Sequence, residues 1–83
     1  MIKVLYFAKV REELGRASEE IEFSPETNNI IDLLQLLICR NELKDSVLQS
    51  KNLLVALNQE VTDTSAILRD GDEVAFYPPV TGG

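Results

Sequence analysis

Apolar residues fall in short runs separated by polar breaks, and the spacing inside each run selects its backbone. Ile2 to Phe7 (IKVLYF) is β-branched and aromatic, with apolar groups on both faces, which predicts a strand inside a sheet. Ala8 to Leu14 predicts a short helix that Gly15 closes as its C-cap. From Ser18 to Phe23, Ile21 and Phe23 alternate with Glu20 and Glu22, the period of a half-exposed strand paired to the first. Ser24-Pro25-Glu26-Thr27 breaks the pattern, and Thr27 or Asn28 offers a side-chain oxygen to cap the helix expected over Asn29 to Arg40. Ile30, Leu33, Leu34 and Leu37 follow the i, i+3, i+4, i+7 spacing of a buried stripe, which Ile31 and Ile38 widen. Arg40 falls in the last turn, where a cation complements the helix dipole.

The second half continues with short elements. Asn41 to Asn52 is polar, with Leu43, Val47 and Leu48 interspersed, and has room for a further helical turn. Leu53 to Leu57 predicts a third strand, Asn58-Gln59-Glu60 a tight turn and Val61 the opening of a short return strand. Asp70-Gly71-Asp72 supplies a turn with glycine where positive φ is needed, and Glu73 to Tyr77 a last strand. Pro78 and Pro79 cannot donate to a ladder, so the sheet stops there. The order strand, strand, helix, strand, short strand, strand, with one main helix over one face of a mixed sheet, describes an α+β domain. Placing the first and last strands side by side and parallel in the centre gives the β-grasp, or ubiquitin-like, arrangement. The expected division is a β-grasp domain over 1–77 and an extended, flexible C-terminal tail over 78–83, with disorder from about Val80.

Composition narrows the chemistry. The 83 residues contain no histidine and one cysteine, and the formal charge is -6. A Ser-His-Asp or Cys-His triad within the chain is excluded, as are an intrachain disulfide and a Cys-rich zinc site. The carboxylates form no EF-hand loop, and no metal site is expected. Asp70, Asp72 and Glu73 suit a solvated turn, and Lys9, Arg11, Glu12, Glu13 and Arg16 a solvated helix face. Net negative charge with scattered Lys and Arg opposes nonspecific nucleic-acid binding. Cys39, among Leu and Ile at the helix end, is expected to be buried and inert. No run approaches the ~20 apolar residues of a membrane span, and no signal peptide is recognisable, so a cytoplasmic protein with no membrane contact is expected.

The chain end stands apart. Val74 to Gly83 (VAFYPPVTGG) carries no charged side chain in a protein that is 27% charged. Pro78 to Gly83 can reach at most roughly 20 Å past the last strand, and its prolines stiffen the root. Gly82 and Gly83 leave no Cβ beside the terminal carboxylate, so the end can thread a channel that would reject a side chain. That carboxylate is a poor electrophile; joined to AMP it becomes a mixed anhydride open to sulfur or nitrogen nucleophiles. A frayed polar tail remains the alternative. On the sheet, Leu5 and Phe7 share one face, and Val4 and Tyr6 the other. Tyr77 goes with Ala75, and Phe76 with Val74. Aromatic groups on the face away from the helix would mark a partner site unless loops cover them.

The opening MIKVLYFAKVRE, the segment LLVALNQE and the ending DGDEVAFYPPVTGG resemble the MoaD family, the small subunits of molybdopterin synthase. The likeness spans the whole chain in length and element order, but Glu26 to Lys51 adds little beyond helical pattern. It implies the β-grasp fold and a sulfur carrier. In that scheme a MoeB-like enzyme spends ATP to adenylate Gly83, and a persulfide donor converts the adenylate to a thiocarboxylate. The tail, with Thr81 and Gly82, inserts into a MoaE-like large subunit. There the sulfur passes to cyclic pyranopterin monophosphate to build the dithiolene. The resemblance implies a heterotetramer of two small and two large subunits, catalytic groups on the large one, and no permanently bound cofactor. It places Phe7, Val61 and Tyr77, continued by Pro78, Pro79 and Val80, against the partners. Val61 and Tyr77 depart from the Leu and Phe often found there but keep an apolar body. A carrier for thiamine thiazole or tRNA thiolation, a ubiquitin-like protein modifier and a plain interaction domain are the rival readings.

Overall fold

The computed structural model describes residues 1–41, 47–49 and 53–78. Five strands form one mixed sheet: β1 (Ile2–Tyr6), β2 (Ser18–Ile21), β3 (Leu54–Leu57), β4 (Glu60–Thr62) and β5 (Glu73–Tyr77), in the order β2-β1-β5-β3-β4. β1 and β5 pair in parallel near the centre, as the β-grasp arrangement requires, and the other pairings are antiparallel. Two helices accompany the sheet, α1 (Ala8–Leu14) and α2 (Ile30–Arg40), together with a 3₁₀ turn at Val47–Gln49. That turn answers the helical propensity expected between Asn41 and Asn52; the rest of that stretch lies outside the described residues, as do 79–83.

Alternation within the strands divides the sheet cleanly. Ile2, Val4 and Tyr6 of β1, Ile21 of β2, Val55 of β3, and Val74 and Phe76 of β5 all point into one core with Val10 of α1 and Ile30, Leu33 and Leu37 of α2. These side chains are at most 3% exposed, and complete burial of each aliphatic group is worth about 1.5–3 kcal/mol. Leu48, from the 3₁₀ turn, and Leu68 complete the cluster.

Local chemistry sets the boundaries. Gly15 takes a left-handed backbone (φ 68°) and donates its N–H to the Arg11 carbonyl, the expected C-cap of α1. The N-cap of α2 is Asn29, not Thr27 or Asn28: its side-chain oxygen accepts from the Asp32 N–H at 2.9 Å, and Asp32 reaches back to the Asn28 N–H at 3.1 Å. Thr27 is instead buried. The helix start is also held by the 64–68 loop, whose Thr64 and Ala66 carbonyls accept from the Ile31 and Ile30 amides. These two bonds satisfy donors that have no partner inside a helix.

Two side chains of α2 depart from expectation. Cys39 is exposed. The buried face is fixed by Ile30, Leu33 and Leu37, and Cys39, two residues past Leu37, lies about 200° round the helix from it. Ile31 is exposed for the same geometrical reason, being one residue beyond the buried stripe. Ile38 and Leu34, partly buried, do pack against the core.

The β3–β4 hairpin turns on Asn58 and Gln59, both at positive φ (50° and 71°), the backbone that matches the twist of a two-residue hairpin. Asn58 ties that turn to the start of β5. Its amide nitrogen donates to Asp72, its side-chain oxygen accepts from the Glu73 N–H, and its backbone N–H donates to the Glu73 carbonyl. Gly71, at φ 94°, makes the preceding turn as expected. No helix among the described residues is long and apolar enough to cross a membrane.

Candidate functional site

The second face of the sheet carries none of the core cluster. Cross-strand register arranges its side chains in rows. At one end Lys3 stands between Glu20 and Glu73. The next row runs Ser18, Leu5, Ala75, Ala56 and Val61 across all five strands. At the far end Tyr77 stands opposite Leu54, and Phe7 follows the last β1–β5 pair. The face is therefore charged at one end and apolar at the other. Because β1 and β5 run in parallel, the apolar end is also where the chain leaves β5 at Pro78.

Exposure marks this end as unusual. Phe7 is 39% exposed, Tyr77 36%, Leu54 40% and Val61 82%. Between them, Ala75 and Ala56 are small and sit low, which leaves a shallow apolar saddle. The rings of Phe7 and Tyr77 lie nearly parallel, 6° apart, with centroids 4.7 Å apart. Contiguous large apolar groups in water are what a binding surface requires.

Of the residues singled out from the sequence, the structure brings Phe7 and Tyr77 into contact and sets Val61 on the same face, three strands from Phe7. Pro78, half-buried, continues from Tyr77. Pro79, Val80, Thr81, Gly82 and Gly83 lie outside the described residues. Leu5, Leu54, Ala56 and Ala75 were not anticipated as part of this surface. The signal for them is the period-two alternation of their strands, which shows its meaning only once the strand order is known.

Titratable groups on this face show no resolved perturbation. The perturbed phenol, Tyr6, lies on the core face: burial first, and then its hydrogen bond to Glu19, raise it far above its ordinary value. Among the described residues, no group of three His, Cys, Asp or Glu side chains is placed to hold a metal ion. What the saddle offers is apolar area beside a chain exit.

Comparison with known proteins decides the family. Residues 4–83 match the model of the ThiS family. The chain belongs to the ThiS family. Within it, this ThiS-family chain is 41% identical over 83 residues to the molybdopterin synthase sulfur carrier subunit of Escherichia coli, with all of both chains covered. It also matches subunit 1 in the protein–protein complex of subunits 1 and 2 of the molybdopterin-converting factor from Helicobacter pylori, at 25% identity and a TM-score of 0.64, with 99% of this chain and 97% of that one covered. The ubiquitin-like fold is shared with SAMP1 from Haloferax volcanii, at a TM-score of 0.77 and 22% identity, with 99% and 98% covered.

Proposed function

We propose that this chain is the sulfur-carrying small subunit of a molybdopterin synthase, with 1–77 as the folded carrier and 78–83 as the tail that bears the sulfur. The observation that carries this reading is the apolar saddle at the exit of the Gly-Gly tail, in a chain whose relatives are named as sulfur carrier subunits. A carrier needs a surface by which partners grip it and a chain end they can reach.

The chemistry is assigned to Gly83. An adenylating enzyme uses ATP to convert its carboxylate to an acyl-adenylate, with pyrophosphate leaving. A persulfide donor then supplies the sulfur that makes the thiocarboxylate, and AMP departs. Gly82 and Thr81 thread the tail into a larger partner subunit, while Phe7, Val61 and Tyr77, with Pro78, Pro79 and Val80, press against the partner. The acceptor is cyclic pyranopterin monophosphate, and two sulfurs from two carriers complete the dithiolene. Two small and two large subunits form the synthase. The acid–base groups belong to the large subunit, the ATP is consumed by the activating enzyme, and this chain keeps no cofactor of its own. The setting is the cytoplasm.

The test is intact mass. Protein isolated with its activating enzyme should contain a fraction in which one terminal oxygen is replaced by sulfur. Deleting Gly83 should abolish that fraction without moving the unfolding transition. Molybdopterin synthesis by the truncated protein would overturn the reading.

A further inference from the structure

The geometry points to Phe7 as a positioning residue: its stack on Tyr77, held from behind by the left-handed turn at Ala8, fixes the direction in which the tail leaves the sheet. This rests on the sulfur-carrier reading and adds to it a role within the chain, separate from contact with a partner.

Phe7 is fixed on both sides of its backbone. Its N–H donates to the Phe76 carbonyl at 3.2 Å, which extends the β1–β5 ladder one residue past the end of β1. Its carbonyl accepts from the Val10 and Arg11 amides at 3.1 and 3.4 Å, so the first turn of α1 is built on it. Val10 is fully buried and anchors that turn in the core. Between them Ala8 takes φ +50°, a backbone that a residue with a Cβ adopts only under constraint. The chain thus accepts local strain to turn sharply after Phe7, and its ring is left on the open face, flat against Tyr77.

Tyr77 is the last residue of β5, and Pro78 follows it. A residue before proline is confined to extended backbone, and proline locks its own φ. The root of the tail therefore has few soft dihedrals, and an orientation imposed at Tyr77 is passed outward. Since both rings are more than a third exposed, core burial does not hold them in place. The constraint comes from the Phe7 backbone and the ring-on-ring contact.

A contact surface and a positioning device respond differently to Phe7→Leu, which keeps apolar area and removes the stack. The experiment follows adenylation of the full-length chain by a cognate ATP-dependent activating enzyme, as pyrophosphate release against carrier concentration. The order parameter of the Val80 amide in the free protein is measured alongside it. Phe7→Leu should lower kcat about tenfold, since misplacing reacting groups by an ångström is enough for such a loss, with KM within about threefold of wild type. Val80 should become more mobile. Phe7→Tyr, which restores a planar ring, should recover kcat. Tyr77→Leu, which removes the other ring, should reproduce the Phe7→Leu pattern. A raised KM with unchanged kcat and unchanged Val80 mobility would overturn the positioning role and leave only contact. Wild-type protein that is not adenylated at all would overturn the sulfur-carrier reading itself.

Discussion

Glu19 stands opposite Val4 on the outer strand β2 and accepts the hydroxyl of Tyr6, while Arg16 donates to its second oxygen at 2.8 Å. A carboxylate on the core side of the sheet edge thus satisfies the one polar atom that the buried Tyr6 ring brings inside. Without it the phenol would lose its water and gain nothing in return. The pair lets an aromatic ring, stacked on Phe76 at 6.5 Å, fill the centre of the core.

The alkaline limit of stability follows from that pair. Burial and the Glu19 bond raise the Tyr6 phenol, so the folded chain keeps its proton where the unfolded chain, ionising near pH 10, releases it. Above about pH 10 the native state binds more protons than the unfolded state, and stability falls as pH rises, by at most about 1.4 kcal/mol per pH unit. The contribution is fully present below that pH. Tyr6→Phe should flatten the stability profile between about pH 10 and 12 and cost about 1 kcal/mol at neutral pH. Urea titrations across that range check both; an unchanged slope would assign the alkaline limb to other groups.

Helix α2 tests the cap. Asn29→Ala removes the acceptor for the Asp32 amide and should cost about 1 kcal/mol. Asn28→Ala, at an exposed position whose backbone alone is used by Asp32, should stay within about 0.5 kcal/mol. The two denaturation midpoints decide between them, and equal losses would contradict the cap assignment.

That cap also shows what a sequence exposes and what it conceals. Periodicity places α2, the five strands and the Gly15 and Gly71 turns because each depends on local rules. Thr27, Asn28 and Asn29 can all cap, and the choice is made by the 64–68 loop, which is distant in sequence and seizes the Ile30 and Ile31 amides. Cys39 lies among apolar neighbours in sequence, yet the angle that sets its exposure belongs to the helix. The site divides the same way. Phe7 and Tyr77 are visible as aromatics at strand ends, whereas Leu54 joins them only through the β3–β5 register, which no local pattern encodes.

The hairpin at Asn58-Gln59 predicts a stabilising change. Both residues hold positive φ, but only Asn58 uses its side chain there, bonding Asp72 and Glu73. Gln59→Gly removes the left-handed penalty, partly offset by the entropy of glycine in the unfolded chain, and should stabilise by about 0.5 kcal/mol. Asn58→Gly has the same backbone benefit and loses both bonds, so it should destabilise. Thermal unfolding of the two variants gives opposite signs if the side chain of Asn58 anchors the turn.

Val61 separates docking from folding most sharply. It is the most exposed of the large apolar residues on the saddle and lies on the short edge strand β4, paired only with Ala56. Nothing in the core depends on it, so Val61→Asp should change unfolding free energy by no more than about 0.5 kcal/mol. On the sulfur-carrier reading, the same substitution places a charge in an apolar contact with the large subunit. Desolvating that charge on docking should raise the Kd at least about tenfold, or about 1.4 kcal/mol. Calorimetric titration with the large subunit measures the change. Val61→Leu, which only enlarges the apolar body, should bind as well as wild type or better. If Val61→Asp binds normally while Tyr77→Asp does not, the partner grips the saddle only at the tail end, and β4 lies outside the contact.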